Sequence, residues 1–110
     1  MPHNKRFAAT IEKELIPFLE SIESYLAGSG IEAAGFSSYT DMRKWFEEAS
    51  KIIRDGGHLW APTADAALMK LDDLQDTLPI ILHKMPPEFT LRWNAMAERL
   101  EKDNQAMIEE

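Results

Sequence analysis

Apolar side chains recur along this chain at intervals of three and four, in four stretches parted by segments rich in glycine, proline and serine. Phe7, Ile11, Leu15, Phe18, Ile22 and Tyr25 follow that spacing and define one face of a helix. Ile16, Leu19 and Leu26 widen the stripe, as in a helix buried against two neighbours. Asn4 is placed to cap this helix at its start. Pro17 inside it removes a backbone hydrogen bond and predicts a bend.

After a connection spanning residues 27–38, which Ile31 and Phe36 are placed to pin onto the core, a second stripe is formed by Met42, Trp45, Phe46, Ala49, Ile52 and Ile53. Ser38 with Asp41, or Thr40 alone, can cap this helix. Asp41 stands at its positive end and Lys51 and Arg54 at its negative end. Glu47 and Lys51 form a favourable i,i+4 pair, and Asp55-Gly56-Gly57 supplies the stop.

Thr63 is placed to cap a third helix with Ala67, Leu71, Leu74, Leu78 and Ile81 on its stripe and Leu68 and Leu82 on the flank. Pro79 predicts a kink or break near Thr77, and Met85-Pro86-Pro87 a stop. Pro87 and Glu88 then suit the first turn of a fourth helix. Its stripe is Phe89, Trp93, Met96 and Leu100, and the next position in register is the charged Asp103. The pairs Glu88/Arg92 and Glu98/Lys102 support this helix. The core stripe is expected to stop at Leu100, with residues 103–110 frayed or projecting. The expectation is an all-α, four-helix bundle-like single domain over residues 1–110. Its helices lie near 6–27, 40–55, 64–84 and 87–107, bent at Pro17 and Pro79. Packing should be up-and-down, with a crossover open to the long connection at 27–38.

Composition narrows this reading. The chain has 110 residues, enough for one domain with its own core. The absence of cysteine removes disulfides, thiolate metal sites and cysteine nucleophiles, and it fits a reducing, cytoplasmic setting. Charges at Glu12, Lys13 and Glu14 interrupt the N-terminal stretch, so no secretory leader is expected. No apolar run approaches the ~20 residues of a membrane span.

The net charge of −7 is uneven. Residues 1–55 carry seven basic and nine acidic side chains, whereas residues 56–110 carry five and ten. Direct nucleic-acid binding starts from a basic footprint, and none is visible. An acidic surface serves solubility or a basic protein partner.

Candidate chemistry is sparse. His3, His58 and His83 lack the Glu-x-x-His or His-Glu-x-x-His settings of metal sites. No serine lies in Gly-x-Ser-x-Gly, and Gly28-Ser29-Gly30 is no phosphate loop. No cofactor or metal is expected. An enzyme or small-ligand binder would have to use His58 or His83 with a nearby carboxylate.

Asp65, Asp72, Asp73 and Asp76 form an acidic face on the third helix, either solvated or turned to a partner. Gly56 to Pro62 places two glycines, His58 and Trp60 in one connection. Trp60 is either an exposed binding anchor or a lid on the bundle end. Met107 and Ile108 lie past the charged Asp103, and a second copy of the chain could bury them in a homodimer.

The leading expectation is therefore a non-enzymatic adaptor, regulator or inhibitor that docks through Trp60, His58, Asp72, Asp73 and Asp76. The alternatives are a homo-oligomeric component assembling through Met107 and Ile108, and a site built on His58 or His83. No motif is specific enough to name a family, and bundles host many unrelated functions.

Overall fold

A computed structural model describes residues 3–29 and 36–108, and in it four helices pack against one another with no strand among the described residues. The first, α1, runs without a gap as α-helix His3–Thr10, a π-helical turn Ile11–Leu15, and α-helix Ile16–Ser29. Then follow α2 (Phe36–Asp55), α3 (Trp60–Leu82) and α4 (Pro87–Ile108). The predicted all-α bundle is the observed one.

The π-helical turn is where α1 meets its proline. Pro17 has no amide hydrogen, and in a regular helix its ring would press on the Lys13 carbonyl. One residue earlier, the Ile16 amide donates to the Ile11 carbonyl, five positions back. This wider turn takes in the extra step of four, and Phe7, Ile11, Leu15 and Phe18 stay buried on one face. Pro79 is milder. α3 runs past it to Leu82, so the break anticipated near Thr77 does not occur. Both prolines are on exposed positions, where water can take the carbonyl left without a donor.

Three helix ends differ from expectation. Asn4 lies inside α1, and its side-chain amide donates instead to the Ile53 carbonyl at the end of α2, at 2.9 Å. That bond helps close α2 beside Gly56, whose φ of 70° is the left-handed conformation that glycine tolerates. Helix α2 begins at Phe36, so Thr40 and Asp41 are interior positions. The Ser38 and Phe36 side chains, Ile31, and the rest of 30–35 lie outside the described residues. Helix α3 begins at Trp60 rather than near 64. Thr63 is therefore not its cap; the Thr63 amide donates to the Leu59 carbonyl at 3.1 Å. Pro62 falls in the first turn, where a missing amide hydrogen costs nothing.

The helices form an antiparallel ring, α1–α2–α3–α4. Ion pairs Glu12–Arg54 and Glu23–Arg43 join the start of α1 to the end of α2 and the reverse. Arg6–Asp103 joins the start of α1 to the end of α4 and Glu14–Arg99 joins their middles, while Phe18 and Tyr25 meet Phe89 toward the other end. Helices that are neighbours in sequence are neighbours in space.

The predicted stripes form one buried cluster, from Phe7 through Phe46, Ile53, Leu71, Leu74 and Leu78 to Trp93 and Leu100. Ile52 is the exception, lying on the surface. Asp103 corrects the reading of α4. It is only 9% exposed, accepts a 2.7 Å hydrogen bond from the Thr10 hydroxyl, and has Arg6 at 3.7 Å. The stripe thus continues through a carboxylate held by α1, and α4 keeps its helical backbone to Ile108 instead of fraying at 103.

Candidate functional site

The sequence of α3 divides its surface sharply. At about 100° per residue, Leu71, Leu74 and Leu78 point into the bundle, and Met69, Asp73, Asp76 and Ile80 fall together on the opposite side. Met69 is 69% exposed and Ile80 67% exposed, with both aspartates exposed between them. The outer ridge of α3 is therefore two carboxylates flanked by two large apolar side chains.

No cation compensates these carboxylates. Among the described residues, Asp65, Asp72, Asp73 and Asp76 make no ion pair, although each of the other three helices makes several. Lys70 is the one base in α3, and it turns toward α2, with Nζ 4.9 Å from the centre of the Trp45 ring. Asp72 sits on the α4 side. It edges a cleft of about 170 Å³ with Leu68, Gln75, Ala97 and Asn104.

The other predicted positions stand apart from this ridge. Trp60 is half-buried in the first turn of α3 and packs against the core, the lid arrangement. Along the axis it is about 20 Å from Asp73. His58 is exposed in the α2–α3 turn and His83 is exposed beyond the far end of α3. About 35 Å of helix separates the two. Among the described residues neither shares a hydrogen bond or ion pair with a carboxylate, and no three His, Asp or Glu side chains converge as metal ligands would. Met107 and Ile108 belong to the helical backbone of α4, and their side chains lie outside the described residues.

Sequence reasoning passed over Met69 and Ile80. Their signal was negative: each stands two residues from a stripe position (Leu71 and Leu78), which on a helix is the far side.

A second surface has the opposite character. Between α1 and α4, beside the π-helical turn, Pro17, Phe18 and Leu91 line an open groove of about 510 Å³ whose walls carry Lys13, Arg92 and Arg99 against one carboxylate, Glu14. Leu91 is 69% exposed. The Arg92 guanidinium lies 5.2 Å from the Phe18 ring centre and 5.9 Å from that of Phe89. Among the described residues it has no carboxylate partner, although Glu88 is one turn away. Arg99 is held by Glu14, whose hydrogen bond raises the guanidinium pKa above its already high value. On the α1–α2 side, Glu23 and Glu47 do the same for Arg43.

No helix among the described residues is long and apolar enough to cross a membrane. Compared with known proteins, the chain matches no family model, no curated sequence and no solved structure.

Proposed function

We propose that this protein is a non-enzymatic interaction module, an adaptor, regulator or inhibitor, which docks the outer ridge of α3 on a protein partner with a basic surface. The contacts are Asp73 and Asp76 on the ridge and Asp72 at its α4 edge, with Met69 and Ile80 as apolar anchors. One observation carries the reading: carboxylates without cations lie between large exposed apolar side chains, on the one helix that makes no ion pair among the described residues. Like charges one turn apart are mildly destabilising, and exposed apolar groups gain nothing in water. A partner presenting Lys or Arg around an apolar patch supplies what both groups lack. The absence of cysteine suits such a role in the cytoplasm.

The test uses the full chain as bait in a lysate of its source cells, beside Asp73→Lys/Asp76→Lys. Both positions are exposed, so melting temperature should stay within a few degrees of wild type. A stoichiometric partner captured by the wild type and lost with the reversed ridge is the expected result. A partner retained equally by both baits would sink the assignment of α3.

A further inference from the structure

The chain itself carries a surface complementary to the α3 ridge. We infer that two copies associate head to tail, with the acidic ridge of α3 on one copy seated in the basic α1–α4 groove of the other. This inference rests on the reading of α3 as the docking face, and it names a partner.

The match is one of chemistry. Arg92 on α4 and Lys13 across from it on α1 have no carboxylate partner among the described residues, whereas Arg99 is held by Glu14. Asp65 to Asp76 offers carboxylates over about 16 Å of α3. The Arg92 guanidinium already lies near the Phe18 and Phe89 rings, and among the described residues no hydrogen bond or ion pair engages its N–H groups. A planar guanidinium fixed in this way loses little freedom on binding and can grip a carboxylate with two hydrogen bonds. Apolar groups are paired as well: Met69 and Ile80 lie on the ridge, and the exposed Leu91 and Pro17 in the groove.

Ridge and groove occupy different sides of the bundle, because α3 is diagonal to α1 in the ring. One copy can therefore use both at once. Such a contact is heterologous, joining unlike surfaces of identical chains. The charge of −7 on every copy opposes it, so the association is weak and grows with concentration.

Sedimentation equilibrium of the full chain tests this. Wild-type mass should climb above the 12.6 kDa of one copy as concentration rises. Arg92→Glu, which spoils the groove, and Asp73→Asn/Asp76→Asn, which blunts the ridge, should each weaken association by about tenfold or more. All three substitutions are at exposed positions, and helical circular dichroism confirms folding. The decisive sample is the equimolar mixture of the two variants. The first still has an intact ridge and the second an intact groove, so the mixture should form a 1:1 complex of twice the single-copy mass.

A wild type that keeps the single-copy mass throughout, or a mixture no heavier than its components, overturns the inference. The broader reading of α3 fails separately. If α3 serves only another protein, the wild type stays monomeric, Asp73→Lys/Asp76→Lys loses that protein and Arg92→Glu keeps it. If reversal of the ridge changes neither mass nor capture, α3 is not a docking face.

Discussion

Helices α1 and α3 are of similar length and pack in the same bundle, yet they treat charge in opposite ways. Nearly every acidic side chain on α1 is tied to a neighbouring helix. Glu12 meets Arg54, Glu14 meets Arg99 and Glu23 meets Arg43, while Thr10 and Arg6 reach Asp103. On α3 the only side-chain hydrogen bond among the described residues is local, from the Thr77 hydroxyl to the Asp73 carbonyl. Helix α1 is thus fastened on both sides, through its core face and through its rim. α3 is held by its core face and by the contact of Lys70 with the Trp45 ring, and the carboxylates of its outer surface make no tie to a neighbouring helix among the described residues. In a protein whose stability is a small difference of large terms, a surface that gives no stability is free to serve recognition.

The largest effect that separates the two regions is packing. Phe18 on α1 is buried, stacked on Trp93 at 6.0 Å between ring centres and tilted against Phe89. Phe18→Ala should cost about 3–5 kcal/mol in urea unfolding. Met69→Ala on the outer ridge should stay within about 0.5 kcal/mol of wild type. A large loss at Met69 would break the comparison, since it would show that the ridge packs against something in the folded monomer.

How far this contrast could be read from sequence follows from what periodicity encodes. A three-and-four spacing states which side of a helix is apolar, and so Phe7, Ile22, Phe46, Leu74 and Trp93 were legible as core. It does not state what a polar residue in register will meet. Asp103 looked like the end of a stripe because its partners, Thr10 and Arg6, are 93 and 97 residues away in the chain. Pro17 announced a disturbance but not its form, since a bend and a π-helical turn both relieve the missing amide. Asn4 was legible as a cap, but the helix it caps is α2. The acidic face of α3 was visible as composition. What composition could not show is that Lys70 turns away to Trp45, leaving that face uncompensated, nor that Lys13, Arg92 and Arg99 gather around one groove.

The next effect concerns the ties at the rim. Arg43 Nε donates to both carboxylate oxygens of Glu23, at 3.0 and 3.1 Å, and Nη1 donates to Glu47 at 2.7 Å. Its side chain is 19% exposed and that of Glu23 16%, so this pair is less screened than an ordinary surface pair. Arg43→Ala should lower stability by about 1–2 kcal/mol. Lys51→Ala removes an open pair with Glu48 at 3.5 Å, and its cost should be under about 0.5 kcal/mol. Equal losses at the two positions would mean that exposure does not grade these ties. A loss at Arg43 alone would show that the rim of α1 is structural.

The smallest effect is the most discriminating, because its sign differs between the regions. Asp72 and Asp76 are one turn apart on α3, both exposed, with no cation among the described residues pairing either one. Like charges at this spacing destabilise a helix by roughly 0.2–0.5 kcal/mol. Asp72→Asn/Asp76→Asn should therefore raise stability by about that much in low salt. Glu23→Gln, which removes one of the two carboxylates held by Arg43, should lower it. The gain on α3 should fade near 1 M salt, where the screening length drops to about 3 Å. The pairing of Glu23 is partly shielded from solvent and should keep more of its effect. Carboxylates whose removal stabilises the protein are not there for the fold, and a gain in stability joined to a loss of association in the same variant would separate the two roles of this surface. Destabilisation by the double substitution would place Asp72 and Asp76 among the structural charges and return the ridge to the same class as the rim of α1.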